Sequence, residues 1–320
     1  MADLQVTLET VTPLFLAGAD PRGAPELRAA SVRGALRFWL RALLGGVIGD
    51  APDRLDELRK AESAVFGSTD TGASAVIVRV TGEEQAQPFR PLPHSQSKTF
   101  TAQGIAPSKA LTITLAPRPP HRHIPEAALG PLVMFILLGG MGKRSRRGFG
   151  SVVIRSVGEG FPLQPSAYTT ADAFSVRVSP LIKDAISKTK SLVLALGLSV
   201  GTPSRLAHFP ILDEQYAKIL FCKTPFEGWE EGMKEFWKVL RSDSYRDNPV
   251  FGFAVGAARQ ASPLHLRIVK LAESYHILLT AFRVHFAGQQ PSWEVMQQLL
   301  EECQQKWNGE WVVGGGMKWQ

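Results

Sequence analysis

The alternation of apolar and polar residues predicts a strand near the start of the chain. Leu4, Val6 and Leu8 alternate with polar neighbours, which is the period of a strand that buries one face. A helix is predicted over residues 32–44, where apolar residues recur every three or four positions until Gly45-Gly46 interrupts them. The chain is therefore expected to open with a strand, a loop and an amphipathic helix.

The same periodicities continue to about residue 160. The further elements predicted there are strands over residues 75–80 and 111–115, a helix over 125–138 and a strand over 151–157. Residues 81–107, rich in Gln, Pro and Ser, are expected to form a long surface excursion. The resulting order, β-α-β-β-α-β, is that of a ferredoxin-like, or RRM-like, fold.

The second half of the chain has a less regular pattern. The elements predicted there are a segment at residues 209–221, a helix at 229–240, strands at 264–271 and 275–286, and a closing helix at 293–307. This mixture indicates a second ferredoxin-like unit, although its element order is not settled by the pattern. Glycine and proline interrupt both periodicities at residues 158–170. We therefore predict an α+β protein with two domains, residues 1–160 and 161–320.

The composition of the chain excludes several classes of protein. The chain has 320 residues, of which 44% are hydrophobic and 20% charged, as in a folded protein with a sizeable core. Cys222 and Cys303 are the only cysteines, too few for a disulfide scaffold or a four-cysteine zinc site. The longest apolar run, residues 130–141, is too short to cross a bilayer, and the N-terminus lacks the features of a secretory signal. We expect a soluble cytoplasmic protein without a membrane partner.

Positive charge is concentrated in the first half. The chain carries 36 Lys and Arg against 29 Asp and Glu, a formal net charge of +7. Most of the cations in residues 1–160 are arginines, whose planar fork of donors suits phosphate groups and stacks on bases. Polyanion binding is therefore a hypothesis to be tested against individual residues.

A glycine-rich basic loop, residues 139–150, is the most informative segment. Its sequence is Gly139-Gly140-Met141-Gly142-Lys143-Arg144-Ser145-Arg146-Arg147-Gly148-Phe149-Gly150. Glycines allow a close approach of the backbone to a ligand, and the four cations suit a phosphate backbone. Arg144 stands where a P-loop needs Ser or Thr, and Ser145 stands where a dinucleotide fingerprint needs Gly or Ala. The alternative is a solvated basic turn between a helix and a strand.

The segment from Arg147 to Ile154 is close to the RNA-binding consensus strand of RRM domains. Six of its eight positions fit, and the two that do not, Ser151 and Ile154, occupy aromatic positions of that consensus. Stacking of bases on this sheet face is therefore not expected.

Other polar residues have both a functional and a structural interpretation. Arg33, Arg37 and Arg41 form one stripe along the first helix, either for RNA or subunit contact or for pairing with nearby acids. Arg259 and Ser262 either contact phosphate or end the loop before the strand at Leu264.

Features of enzymes are weak in this sequence. His121 and His123 offer metal-binding nitrogens but have no third ligand nearby, which favours a solvated loop. Asp20 invites a metal-assisted nuclease interpretation, but a single aspartate before a proline is more often a turn residue. We predict no catalytic residue, no metal and no cofactor.

Two of these segments together resemble the RAMP superfamily of CRISPR-associated proteins. They are the helix sequence at residues 26–41, which contains Ser31-Val32-Arg33-Gly34-Ala35-Leu36-Arg37, and the pattern Gly140-x-Gly142-x5-Gly148-x-Gly150. The helix is most similar to that of the first-numbered RAMP subunit of the type III-B (Cmr) effector complex. Further similarities are at residues 12–20, 65–68 and 259–264.

The resemblance implies tandem ferredoxin-like domains and a place in a complex that holds guide RNA and captures complementary single-stranded target RNA in antiviral defence. It implies contact with the 3′ region of the guide, other RAMP subunits as partners, and no catalysis by this chain. The residues that we predict to bind RNA are Arg28, Arg33, Arg37, Arg41, Gly140, Gly142, Lys143, Arg144, Arg146, Arg147, Gly148, Phe149, Gly150, Arg259 and Ser262. Two alternatives remain: a metal-dependent ribonuclease that processes guide or target RNA, and a structural subunit whose basic faces meet acidic proteins.

Overall fold

A computed structural model describes residues 3–20, 23–91, 100–255, 258–286 and 291–319 of the chain. Residues 92–99 of the predicted surface excursion lie outside the described residues. Within the described ranges, no helix is both long enough and apolar enough to cross a membrane.

The first half forms an antiparallel sheet covered by helices. Its elements are β1 (Leu4–Thr10), α1 (Ala29–Ile48), α2 (Leu55–Phe66), β2 (Val76–Gly82), β3 (Ala86–Phe89), β4 (Ala102–Ile105), β5 (Ala110–Pro117), α3 (Leu129–Leu138) and β6 (Val152–Val157). The main sheet has the order β2-β5-β1-β6, with Val6 opposite Ile113. This is the strand order of a ferredoxin-like unit, as the sequence predicts, with α2 as an addition and β3 and β4 as a separate hairpin.

The second half repeats the same architecture. Its elements are α4 (Ala171–Ala195), β7 (Ala217–Phe226), α5 (Trp229–Leu240), β8 (Phe253–Val255), β9 (Ala258–Gln260), β10 (Leu264–Leu271), β11 (Ser274–Phe282), α6 (Trp293–Lys306) and β12 (Gly309–Val313). The sheet order β10-β11-β7-β12 matches that of the first half, element for element. The fold is therefore α+β with two tandem ferredoxin-like units.

Most of the buried apolar side chains form one continuous cluster that spans both units, and a small second cluster contains Ala207, Ile211 and Tyr216. Leu4, Val6 and Leu8 are all buried, which confirms the face predicted from their alternation. Every residue of α3 is buried because α1 and α4 pack against this apolar helix. Since α4 packs on helices of the first unit, the domain division near residue 160 stays a prediction.

Several boundaries predicted from the sequence are wrong; the strand predicted over residues 275–286, for example, ends at Phe282. The helix expected to stop at Gly45-Gly46 continues to Ile48. Gly45 has a packing role within it, because a Cβ atom there would lie only 2.8 Å from the Phe209 ring. The segment predicted at 209–221 is a strand only from Ala217 onward, after a turn in which the Ala217 amide donates to the Asp213 carbonyl. Helices α2 and α4 were not predicted at all.

The two units meet where β10 lies beside the basic loop and β6. The amide of Leu266 donates to the Arg146 carbonyl at 3.0 Å, and the amide of Ile268 donates to the Ser151 hydroxyl at 3.2 Å. An ion pair of 2.9 Å joins Lys270 to Glu9 of β1. The basic loop is therefore held between the two units.

Candidate nucleic-acid interface

The glycines of the basic loop are required for its path. Gly142 and Gly150 have φ angles of 86° and 66°, in the region that favours glycine. A Cβ atom at Gly150 would lie 1.9 Å from the Met141 carbonyl oxygen, and one at Gly142 would lie 2.4 Å from that of Phe15. These glycines allow the loop to fold back on itself and on the strand-like segment after β1.

Hydrogen bonds close the loop at its base. The Met141 amide donates to the Gly150 carbonyl at 3.1 Å, and the Lys143 amide donates to the Phe15 carbonyl at 2.8 Å. Phe149 is buried, with its ring 5.0 Å from the ring of Phe15. Gly148, Phe149 and Gly150 thus form the buried base of the loop, and the Phe149 ring belongs to the core, not to a surface on which a base would stack.

The four cations project from this base in two pairs. Lys143 and Arg144 are exposed, whereas Arg146 and Arg147 are half-buried. Arg146 donates from Nη1 to the Ser262 carbonyl at 3.0 Å, and the Arg147 guanidinium lies 5.2 Å from the centre of the Trp237 ring. The inner pair is therefore oriented by the second unit.

The arginines of the loop lack a countercharge. Among the described residues, Arg144, Arg146 and Arg147 form no ion pair with a carboxylate. Burial lowers the pKa of all three, and the charges of Arg144, Arg241 and Arg146 lower that of Arg147 further. Because arginine remains protonated at neutral pH, these like charges repel one another, and an anion bound among them relieves that repulsion.

A groove of about 520 Å³ lies between the loop and the second unit. We call it the basic groove. Its lining consists of Arg144, Ser145, Arg146 and Arg147 on one side and Gly252, Phe253, Ala254, Gln260, Ala261 and Ser262 on the other. The structure therefore brings together two segments that lie more than 100 positions apart and were singled out separately in the sequence.

Ser262 lines this groove, whereas Arg259 is not among its lining residues. Arg259 is exposed on β9, opposite Ala254 of β8. Ser262 is buried, and its hydroxyl accepts from the Leu264 amide at 3.2 Å, so the side chain shapes the turn before β10. Ser262 also orients Arg146 through its carbonyl oxygen.

The arginine stripe on α1 points away from the basic groove. Arg41 donates to Glu62 of α2 through Nε at 3.0 Å and Nη2 at 2.8 Å, and Arg37 lies 3.5 Å from the same carboxylate. Arg37 also donates to the carbonyl oxygens of Phe66 and Gly67 at the end of α2. In the structure, Arg37 and Arg41 therefore pair with a nearby acid, which is the structural alternative left open for this stripe.

Arg28 and Arg33 occupy the first turns of α1. Arg28 is the exposed residue at the helix start. Arg33 is half-buried, and its buried Nε has no hydrogen-bond partner within the described part of the chain. Their predicted contact with RNA stays a prediction.

The residues considered for metal-assisted chemistry are dispersed on the surface. The carbonyl of Asp20 accepts from the Gly23 amide at 3.2 Å, which is the turn role, and His121 and His123 are exposed in another loop. Over the described ranges, no three His, Cys, Asp or Glu side chains form a group that could hold a metal.

One residue that matters for the loop was missed in the sequence. Arg267 of β10 is 4% exposed, and its guanidinium donates to the carbonyl oxygens of Gly139 and Val152 at the two ends of the basic loop. Its position in an apolar strand looks like ordinary alternation, so no local pattern marks it.

Comparison with known proteins bears directly on this loop and on α1, because residues 7–153 match the RAMP superfamily. The predicted resemblance to RAMP proteins is confirmed. Two relatives of the chain in Pyrococcus furiosus are the CRISPR system Cmr subunits Cmr1-2, 46% identical over 77 residues, and Cmr1-1, 32% identical over 160 residues. The matches cover 24% and 46% of this chain, and they span 38% and 46% of the relatives, less than half the length of each.

Similarity of fold to solved structures extends over both units. The crystal structure of Cmr1 from Pyrococcus furiosus, in its apo form, superposes with a TM-score of 0.69 at 21% identity, covering 98% of this chain and all of that one. A chain of the Type III-B Cmr-beta structure, which is bound to cognate target RNA, has a TM-score of 0.65 at 13% identity and covers 95% of this chain and 99% of that one. At these identities the similarity establishes the shared fold.

Proposed function

We propose that this RAMP protein is a non-catalytic RNA-binding subunit of a type III-B CRISPR effector complex. In this function it contacts the 3′ region of the guide RNA and the target RNA, and its partners are other RAMP subunits. The names of its relatives, which are Cmr subunits, support the assignment to such a complex. The basic groove supports the assignment to RNA.

The observation that carries the proposal is the lack of a countercharge at Arg144, Arg146 and Arg147. Three neighbouring arginines without a carboxylate partner, among the described residues, are costly to an isolated protein. A phosphate backbone supplies several negative charges at the spacing of successive nucleotides, and it suits the planar donor fork of arginine.

The mechanism is positional. Arginine and lysine side chains contact phosphates and fix the path of the RNA strand. These contacts do not read the sequence of the RNA. Base pairing between guide and target supplies the specificity, as in other RNA-guided effectors. The rigid base of the loop keeps the cations oriented before RNA arrives, so that less ordering is needed on binding.

The test uses the two exposed cations of the loop, because Arg146 and Arg147 also hold the units together. We expect Lys143→Ala with Arg144→Ala to weaken binding of the full chain to single-stranded RNA at low salt and to flatten the dependence of affinity on salt concentration. Lys183→Ala with Lys190→Ala removes the same charge from exposed positions of α4 and serves as the matched control. Equal affinity and slope in the loop variant and the wild type would overturn the proposal.

The same preparation separates the two alternatives. Incubation with labelled RNA, with and without a divalent metal, is expected to leave the RNA intact. Cleavage that disappears in Asp20→Ala would establish the ribonuclease instead. No binding to RNA even at low salt would favour the structural subunit with acidic protein neighbours.

A further inference from the structure

A second cavity lies on the opposite side of the basic loop, between the loop, α1 and β10. Its volume is about 230 Å³. It is lined by Ser31, Ala35, Phe38 and Trp39 of α1, by Leu138, Gly139, Gly140, Gly142, Ser145 and Arg146, and by His265 of β10. We call it the α1 cavity.

The lining of this cavity includes a buried histidine. His265 is 7% exposed, and its buried Nε2 atom has no hydrogen-bond partner among the residues that the structure describes. Burial and the nearby Arg146 charge lower the pKa of His265 to about 3, so the imidazole is neutral at physiological pH. A neutral imidazole has one nitrogen that donates and one that accepts. The His265 ring therefore adds an uncharged aromatic surface to the lining of the cavity.

The cavity also has an aromatic wall with a cation at its rim. The ring of Phe38 is half-buried and stacks on the His265 ring, with 5.7 Å between their centres and 29° between their planes. The guanidinium of Arg146 lies 5.9 Å from the centre of the Phe38 ring. Flat aromatic surfaces of this kind stack on nucleic-acid bases, and the adjacent guanidinium suits the attached phosphate.

We propose that the α1 cavity accommodates one unpaired base of the RNA whose backbone lies on the basic loop. This inference rests on the proposed function, and it assigns Phe38, His265 and Ala35 to a contact that the sequence did not suggest. Arg146 and Ser145 line both the α1 cavity and the basic groove, so a strand that crosses the loop at these residues reaches both.

The chemistry of the walls favours a base over a bare anion. Apart from Arg146, the cavity offers aromatic rings, a neutral imidazole, small side chains and backbone groups. The volume is far larger than a single water needs and smaller than the pockets of drug-sized ligands, which suits one ring system.

The experiment fills the cavity without changing any charge. Ala35→Leu places a larger side chain in the α1 cavity, and Gly34→Leu adds the same side chain next to it on α1, where a Cβ atom meets nothing within 4 Å. The probes are two single-stranded RNA oligonucleotides of equal length, one complete and one with several abasic sites. We expect Ala35→Leu to lower affinity for the complete RNA about tenfold and to leave affinity for the abasic RNA unchanged, because the added side chain prevents one base from stacking. Gly34→Leu is expected to bind both RNAs like the wild type.

A crosslinking measurement on the wild type keeps the inference testable even if Ala35→Leu does not fold. Irradiation of the full chain with RNA that contains 4-thiouridine is expected to yield crosslinks to Phe38 or His265. RNA binding with crosslinks restricted to the basic groove, or equal affinities of Ala35→Leu and the wild type for the complete RNA, would overturn the base contact and leave the proposed function standing. A wild type that does not bind RNA at all would overturn both.

Discussion

The guanidinium of Arg267, in the second unit, donates a hydrogen bond to the carbonyl of Gly139, where the basic loop leaves α3. A second bond from the same group reaches the carbonyl of Val152, where the chain enters β6. Both ends of the loop are therefore held by one buried side chain.

Replacement of Arg267 by Met is expected to destabilise the protein by about 3 kcal/mol. The substitution leaves two buried carbonyl oxygens without donors, and each such loss costs on the order of 1–3 kcal/mol. Urea unfolding of the full chain measures the change in free energy. Lys270→Met, which removes a more exposed cation from the same strand, is the control and should cost less. A difference below about 1 kcal/mol between Arg267→Met and the wild type would show that the loop does not need this support.

Gly150→Ala is expected to unfold the basic loop or the whole first unit. At this residue the backbone is left-handed and a Cβ atom would collide with the Met141 carbonyl oxygen, so the cost exceeds the roughly 1–2 kcal/mol of the conformation alone. Gly160→Ala isolates the conformational cost, since Gly160 has a φ angle of 79° and no atom near the added Cβ. Thermal unfolding compares the two variants, and equal midpoints would contradict the predicted collision.

The loss of folding stability at low pH is expected to depend on Asp50. Burial alone would raise the pKa of this carboxyl group, but amides of Ser204 and His208, each at 2.6 Å, together with the His208 ring, outweigh it, and the pKa lies below its ordinary value. A lowered pKa in the folded state stabilises the protein above the ordinary value near 4, and this contribution is lost as the pH falls through the lowered value.

Asp50→Asn is therefore expected to cost about 2 kcal/mol at pH 7 and to flatten the fall of stability in acid. Urea unfolding at a series of pH values from 6 down to 2 measures both effects. Asp53→Asn removes a nearby exposed carboxylate and should leave the curve unchanged. The assignment fails if the two variants have the same pH dependence.

Arg37 is expected to matter more for stability than for RNA. Its guanidinium binds the carbonyl groups at the carboxyl end of α2, where a cation also interacts favourably with the helix dipole. Arg37→Ala should therefore lower the free energy of unfolding by about 1–2 kcal/mol, while Arg59→Ala, at an exposed ion pair of α2, should change it by less than about 0.5 kcal/mol. A loss of RNA affinity larger than that of the Lys143 and Arg144 variant would identify the α1 stripe as the main RNA contact.

The sequence predicts elements well where one periodicity runs uninterrupted. Helix α5 and strand β10 have the predicted bounds, because each has a clear apolar face. Helix α4 was missed because its buried stripe includes Ser175 and Thr189 and because Pro180 lies within it. The pairing of Glu62 with the arginine stripe could not be predicted, because α2, the helix that carries Glu62, was not predicted.

The basic loop was identified from its glycines and cations, but the shape of the site was not. The basic groove requires the loop to face residues 252–254 and 260–262, and this follows from the docking of β10 beside β6. Contacts between residues so far apart in sequence leave no trace in local periodicity. The α1 cavity likewise depends on His265, which a period-two pattern classes as an ordinary strand residue.

The parallel bridge between Arg147 and Leu266 makes the basic loop a shared edge of both units. A ligand held in the basic groove contacts the two units at once, and it binds tightly only while they are docked. Binding and docking are then thermodynamically linked: the factor by which docking raises the affinity for RNA equals the factor by which RNA raises the docking equilibrium. RNA bound in the basic groove is therefore expected to protect the amides of β10 from hydrogen exchange, although these amides lie beneath the loop and do not contact the RNA.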